Sequence, residues 1–261
     1  MNLTQAEVKY LSALQQKKFR DQERKFLLEG WRPVLDALQS SFHIDYLAAL
    51  PDAMQKPEHA GVAQLASDRK IAIKELKEAQ LRRISDTVHS QGIVALVSQQ
   101  LPPLDPSAFR LANFIVACDR IGDPGNLGTI IRTCDWFKVD ALLLGTGCVS
   151  LYNEKVIRST AGSIFHLPIF EDVDLQQSFS AFGDLGFKVV TTVIDGNSLD
   201  DVRLPSKTIL VLGNEARGVD PTLNRAADTA FTIPKYGKAE SLNVGIACGI
   251  ILAQWRSQMR P

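Results

Sequence analysis

Four continuous apolar runs constrain the fold of this 261-residue chain more than any other feature: FIVACDRI (114–121), ALLLG (141–145), FKVVTTVI (187–194) and TILVLGN (208–214). Each is apolar along its length instead of alternating, the pattern of a strand covered on both faces. Between and after them lie helical patterns: NLGTIIRTCDWF, NEKVIRSTAGSIF, LQQSFSAFGDLG and, last, SLNVGIACGIILAQWRSQ. Strand alternating with helix predicts a doubly wound α/β domain with a parallel sheet, whose ligands sit at the carboxyl ends of the strands.

A boundary precedes this domain. Ser98 to Phe109 holds Pro102, Pro103 and Pro106, which resist both helix and central strand. The expected division is therefore residues 1–100, a proline-rich linker at 101–110, and 111–261. The first part reads as a small mixed domain. Thr4 caps a helix over about 5–18, a second helix runs from Arg32 to Gln39 after Gly30, HIDYLAAL and GIVALVSQ are strands, and KEAQLRRISD contains a helix.

Lys and Arg together number 29, as do Asp and Glu, so the formal net charge is zero. Bulk charge alone does not coat nucleic acid here. The first third is locally basic, with Lys9, Lys17, Lys18, Arg20, Arg24, Lys25 and Arg32 against Glu7, Asp21, Glu23 and Glu29. Such a run is either a solvated helix surface or a face for RNA. Cys118, Cys134, Cys148 and Cys248 stand far apart without a CxxC pair, which argues against zinc and a disulfide framework and fits buried free thiols in a reducing cytosol. The N-terminus lacks a signal-peptide pattern, and no apolar run reaches membrane-spanning length.

Three strand ends carry Gly and polar clusters: DRIGDPGNLGTIIR, LGNEARGVD and IPKYGKAESLN. Gly122, Gly125 and Gly128 are spaced three apart and fail the dinucleotide fingerprint; LLLGTG has Ser150 where the third glycine belongs. Gly213 and Gly218 are followed by Val219 and Asp220, not the Lys-Ser/Thr of a phosphate loop. No G-x-S-x-G elbow occurs, and His43, His59, His89 and His166 show no metal or triad spacing.

The segments DPGNLGTIIRTCDWF, LVLGNEARGV and IPKYGKAESLNVGIACGI resemble, in order and separation, the three motifs of the SpoU (TrmH-type) RNA ribose methyltransferases of the SPOUT superfamily. The resemblance covers about Phe114 to Gln258. More weakly, FLLEGWRPVLDAL and HSQGIVALV resemble that family's ribosomal-protein-like RNA-binding domain. It implies a deep trefoil knot in the C-terminal domain, a homodimer joined through the knotted domains, S-adenosylmethionine as cofactor, and no metal. The implied reaction methylates a ribose 2′-hydroxyl in structured ribosomal or transfer RNA. Rival readings are a base methyltransferase on the same scaffold and a non-catalytic RNA-binding or assembly protein. The expected location is the cytoplasm.

Carried over residue by residue, the resemblance gives catalytic or orienting roles to Asn126, Arg132, Glu215, Ser241 and Asn243. Read alone, Asn126 is a helix N-cap, Arg132 an outward or ion-paired arginine, Glu215 a turn charge and Ser241 the last helix's N-cap. Family proposals make the arginine a base, but a guanidinium stays protonated. Arg132 is better read as gripping the target's phosphate and lowering the hydroxyl's pKa electrostatically. Cofactor contacts are implied for Thr191, Gly213, Asn214, Gly218, Ile233, Pro234, Ser241 and Leu242, with Ile233 and Leu242 flanking the adenine. Lys17, Lys18, Arg20, Arg158 and Ser159 are expected to face RNA, although an ordinary amphipathic helix explains NEKVIRSTAGS (153–163) equally well. Lys235 and Tyr236 depart from the commonest third motif, where smaller or apolar residues are frequent. Ile246, Ile250, Ile251 and Trp255 on the last helix belong either to the dimer interface or to the monomer core.

Overall fold

The protein's structure, a computed structural model, describes residues 2–85 and 90–259; His89, and Asp86 at the end of one predicted helical segment, lie outside them. The described chain divides into two compact units. The first comprises residues 1–100 and 152–166, the second 101–151 and 167–261.

In the first unit Thr4 caps α1 (Gln5–Ala13) through a reciprocal box with Glu7, which satisfies two of the backbone donors that a helix start leaves open. The helix expected over 5–18 is in fact two, because α2 (Lys17–Glu23) starts after a break. Arg20 stabilises that break: its Nη1 donates to the carbonyls of Leu14 (3.0 Å) and Gln15 (2.7 Å). There follow β1 (Lys25–Glu29), α3 (Trp31–Gln39), β2 (Ile44–Ala49), α4 (Pro51–Met54), α5 (Ala60–Asp68), β3 (Ala72–Glu75), α6 (Glu78–Ile84) and β4 (Ile93–Ser98). The sheet order is β1-β4-β2-β3, with β4 antiparallel to both neighbours and β2 parallel to β3. Val8, Leu11 and Leu14 pack onto Leu27, Leu96 and Ile84, so burial, not helix propensity, holds these short helices.

The second unit begins earlier than the sequence suggests. Asp105 caps a short 3-10 turn over Pro106–Phe109, and the Phe109 ring lies 5.8 Å from that of Phe170 and 6.1 Å from that of Phe182. The proline-rich segment is therefore partly core packing and not simply a linker. After it come β5 (Phe114–Cys118), α7 (Pro124–Trp136), β6 (Ala141–Gly145), α8 (Glu154–Thr160), β7 (Ile169–Val173), α9 (Leu175–Gly183), β8 (Lys188–Ser198), β9 (Thr208–Leu212), α10 (Pro221–Ala226), β10 (Thr229–Thr232) and α11 (Val244–Gln258). The stretch with α8 packs in the first unit, where the Tyr152 ring lies tilted against that of Phe26 (4.8 Å) and Phe165 meets Phe42 edge-on (4.9 Å). The expectation had kept it with the second.

All six strands of the second sheet are parallel, in the order β10-β8-β9-β5-β6-β7. Strands β5, β6 and β9 are wholly buried, as their unbroken apolar sequences require. One face is closed by Phe170, Phe179, Phe182 and Phe187, and α7 packs against α11. The Phe114 and Trp255 rings lie 4.3 Å apart, and Arg256 Nε donates to the Phe137 carbonyl at the end of α7 (2.7 Å). Chain order runs outward from β5 through β6 to β7, while the later strands lie on its other side. The β5–β9 pair is thus the point where the winding reverses, the place where such sheets open a crevice for a ligand.

Candidate active site

At the β5–β9 carboxyl ends, two loops are stitched together by charge. Asp119, only 5% exposed, follows β5 and extends its ladder by donating from its N–H to the Leu212 carbonyl (2.8 Å). Arg120 turns back onto it from a left-handed backbone (φ +53°), donating from Nε and Nη2 to the two carboxylate oxygens at 3.0 Å each. Such a two-pronged pair is the strongest geometry available to these groups. Arg120 Nη1 also reaches Asp220 Oδ2 (3.2 Å), and the Asp220 N–H donates to Asp119 Oδ2 (2.7 Å). The hydrogen bonds to Asp119 raise the Arg120 pKa. Asp220 is held below its ordinary value, first by the Thr222 hydroxyl and N–H that it receives as cap of α10.

The loop between these anchors is shaped by backbone. Gly213 has no room for a side chain, since a Cβ there would lie 2.2 Å from the Val219 nitrogen. Asn214 and Gly218 exchange backbone hydrogen bonds (3.1 and 2.8 Å), and Gly218 takes φ +69°, a conformation costly for other residues. The Asn214 side chain pins both ends of the turn. Its Nδ2 donates to the Arg120 carbonyl (2.9 Å), and its Oδ1 accepts from Ala216 N (3.0 Å) and Arg217 N (3.1 Å). Glu215 is left at the exposed tip.

Three segments distant in sequence then meet. Asn243 Nδ2 donates to Asn126 Oδ1 (2.7 Å), and Asn126 Nδ2 donates to Glu215 Oε1 (2.8 Å). The order is dictated at both ends. Asn243 Oδ1 is engaged in capping α11, accepting from Gly245 N (2.9 Å) and Ile246 N (3.3 Å), so its NH₂ faces Asn126. A carboxylate only accepts, so Glu215 must terminate the chain. Gly245 permits the close approach of α11 to α7, because a Cβ there would lie 2.7 Å from Thr129 Cγ2.

Two expectations about caps are corrected. Asn126 does not cap α7; Asp123 does, accepting from Asn126 N (2.8 Å) with Pro124 at the first helical position, and this frees the Asn126 side chain for the chain just described. Ser241 does not cap α11 either, since Asn243, two residues on, holds that position, while Ser241 and Leu242 are exposed. Asn126, Glu215 and Asn243 are brought together, with Asn214, Gly213 and Gly218 forming the turn beneath. Arg132 is not part of the cluster. It is exposed, and six helical residues place its side chain roughly 120° around the axis from Asn126.

The remaining second-unit positions follow the strand ends. Thr191 on β8 is in register with Val211 of β9 and Ala230 of β10. It is fully buried, and its hydroxyl has no hydrogen-bond partner among the described residues, an uncommon and costly state unless a ligand completes it. Ile233 and Pro234 are half-buried just after β10. The thiols of Cys118, Cys134 and Cys248 are buried and Cys148 is partly so; burial pushes the Cys148 thiol up to about 11, which suits packing and not nucleophilic work. Among the described residues no group of His, Cys, Asp or Glu is arranged to hold a metal ion.

In the first unit Lys17 is exposed and pairs with Asp21 (2.6 Å), and Lys18 is exposed. Arg20, expected to face RNA, is 3% exposed and is engaged with the backbone as described. Arg158 is exposed and pairs with Glu154 one turn earlier (3.6 Å), while the Ser159 hydroxyl donates back to the Lys155 carbonyl (2.7 Å). The Asp119–Arg120–Asp220 clasp was not anticipated. Asp220 carried a readable signal, an aspartate before a proline at a helix start. The role of Asp119 emerges only from strand register.

Residues 113–253, more than half of the chain, match the SpoU rRNA methylase family, and residues 5–95 match the MRM3-like substrate binding domain. The chain belongs to the SpoU rRNA methylase family. Among its relatives is the 23S rRNA (guanosine(2553)-2′-O)-methyltransferase RlmP of Bacillus subtilis, 31% identical over 252 residues that cover 95% of each chain. A similar solved structure is the AdoMet-bound rRNA methyltransferase from Sinorhizobium meliloti, with a TM-score of 0.84 and 31% identity over all of this chain and 98% of that one. An RNA 2′-O ribose methyltransferase superposes with a TM-score of 0.81 and 26% identity, covering 98% of this chain and 96% of that one. The SpoU-family segment thus contains the whole polar chain from Asn126 to Asn243.

The loop geometry makes a direct prediction for this SpoU protein. Gly213→Ala should cost about 1–3 kcal/mol in folding stability, the usual penalty of overpacking, because the colliding atoms are backbone. Gly237→Ala, where an added Cβ meets nothing within 4 Å, should be nearly neutral. Urea denaturation of both variants compares them; equal midpoints would show that the turn does not depend on the missing side chain.

Proposed function

We propose that this protein methylates the 2′-hydroxyl of a ribose in structured RNA, with ribosomal RNA the foremost substrate, using S-adenosylmethionine. The observation that carries the reading is the Asn243–Asn126–Glu215 chain at the point where the sheet's winding reverses. Its support comes from the family and from the 23S rRNA and AdoMet-bound relatives. The residues present suit the cofactor. The unpartnered Thr191 hydroxyl offers a buried polar contact, the side-chain-free Gly213 admits close backbone approach, and Ile233 and Leu242 offer apolar flanks for a purine. When bound, S-adenosylmethionine supplies a methyl group on a positively charged sulfur.

The chain's own residues must orient a weak nucleophile and help remove its proton. Asn126, held on one side by Asn243 and on the other by Glu215, presents a fixed amide at the crevice. Glu215 supplies negative charge at the exposed end, fit to accept a hydrogen bond from a sugar hydroxyl. Arg132 is a permanent cation suited to gripping the target phosphate and favouring the ionised hydroxyl.

Because Arg132 lies on another face of α7, we place it in the site of a second copy, in a homodimer joined through the second units. Exposed Trp136 on α7 and Ile246 and Ile250 on α11 support an apolar interface there; Ile251 and Trp255, their neighbours in sequence, are core. The deep trefoil knot belongs to the same reading, with the loops 213–220 and 234–243, which meet at Asn126, as its components. Free cysteines fit a cytoplasmic setting. In the described residues no helix is long and apolar enough to cross a membrane.

Incubation with methyl-labelled S-adenosylmethionine and total RNA from cells lacking this gene tests the reaction. Label should appear in ribosomal RNA and survive alkali in dinucleotides, because a blocked 2′-hydroxyl cannot attack its phosphate. Release as ordinary mononucleotides would favour base methylation, and absence of label would favour an RNA-binding or assembly role. Mixing Arg132→Ala with Glu215→Ala subunits tests the shared site. If each site uses one residue from each copy, the two inactive variants should recover about a quarter of wild-type activity, because half the dimers carry one intact site. No recovery would place both residues in one subunit's site.

A further inference from the structure

The loop from Ile233 to Asn243 contains a feature that methyl transfer as described above does not use. Tyr236 is 92% exposed, on a segment where Lys235, Gly237, Lys238 and Ala239 are exposed as well. Nothing lies within 4 Å of a Cβ added at Gly237, so the loop tip stands free of the body of the unit. Among the described residues neither lysine forms an ion pair, although Glu240 lies two residues beyond Lys238. The neighbouring turn carries a third such cation, the exposed Arg217 beside Glu215. A tyrosine serving only the fold would bury its ring, and a loop serving only as a connection would not place an unpacked ring between two cations.

The position matters because this loop ends in Asn243, whose side chain belongs to the polar chain with Asn126 and Glu215. Tyr236 and Asn243 are seven positions apart, a tether of at most about 25 Å when fully extended. Aromatic rings bind unstacked bases through their π-faces, and lysines beside them take the adjoining phosphates. A stacked base also fixes the sugar attached to it, which is what a reaction at a ribose hydroxyl requires.

We infer that Tyr236 is a stacking platform for a nucleobase of the bound RNA near the methylated ribose, with Lys235 and Lys238 holding the flanking phosphates. Tyr236 is then a positioning and specificity residue, and the departure of this loop from the commonest motif reflects the RNA that the protein accepts. The inference rests on the reading of the protein as an RNA methyltransferase.

Full-length Tyr236→Ala, Tyr236→Leu and Tyr236→Phe proteins test it. Each would be measured for filter binding of deproteinised large-subunit ribosomal RNA, for kcat/KM of methyl transfer to that RNA, for S-adenosylmethionine affinity, and for sedimentation. Loss of one stacked base corresponds to roughly 5- to 150-fold in affinity. The Ala and Leu variants should lose at least about tenfold in RNA binding and kcat/KM, and Phe, which keeps the ring, should restore most of it. Cofactor affinity and sedimentation should not change. A Leu variant that binds RNA like wild type would overturn the inference, because any apolar side chain would then serve. A loss matched by weakened cofactor binding or altered assembly would overturn it too, by assigning Tyr236 to the cofactor loop or to an interface. Wild-type protein that binds this RNA without methylating it would defeat the methyltransferase reading alone, and the binding comparison would still decide the role of the ring.

Discussion

The Asn126 side-chain amide is the group on which the site depends, since it must donate to Glu215 and accept from Asn243 at the same time. Only a residue with both functions at one short reach can join a carboxylate to an amide in this way. Each partner arrives from a different direction. Asn126 stands in the first turn of α7, Glu215 at the tip of the turn after β9, and Asn243 at the cap of α11. A displacement of about 1 Å in any one of them would break the hydrogen bond, so the fold's task is to fix three loop ends to within that tolerance.

Most of the structure serves this tolerance. The parallel pairing of β5 with β9 places the first two loops side by side, and the Asp119–Arg120–Asp220 clasp removes their freedom to separate. The clasp mixes a buried carboxylate with a partly exposed guanidinium. Its contribution is better regarded as geometric specification than as net stability, because desolvating charge offsets much of the attraction. The third loop is set from the other side by helix packing. Gly245 lets α11 approach Thr129 of α7, Trp255 packs on Phe114 of the central strand, and Arg256 ties the far ends of the two helices together. The turn from Gly213 to Gly218 is held from within, by the Asn214–Gly218 backbone bonds and by the Asn214 side chain.

How much of this was legible depended on the physics of each segment. Strands β5, β6 and β9, buried along their whole length, announced themselves as unbroken apolar runs, as did the buried first half of β8. Strand β7, IFEDV, did not, since Glu171 and Asp172 interrupt it; β1, KFLLE, was hidden at the end of a charged stretch, and β10 has only four residues. Motif resemblance named Asn126, Glu215 and Asn243 in three distant segments, and their side chains meet. The misplaced caps show the limit of local patterns. Asn126 and Ser241 are both good capping types, yet Asp123 and Asn243 hold those positions, because the cap is decided by where the helix axis can start against its neighbours. Arg20 looked solvent-facing in a basic run, but the break between α1 and α2 gave its guanidinium carbonyls to bind. Long-range partners such as Asp119 and Asp220, 101 residues apart, leave no trace in spacing.

Joined by their hydrogen bond, Asn126 and Glu215 are expected to act as one unit. Single-turnover methyl transfer to ribosomal RNA by wild type, Asn126→Ala, Glu215→Gln and the double variant measures this directly. Two residues that work through their shared hydrogen bond should be strongly coupled, by about 0.5–3 kcal/mol, and the double variant should be little slower than the slower single one. Rate losses that simply multiply would show that the two side chains act independently, and would contradict the account.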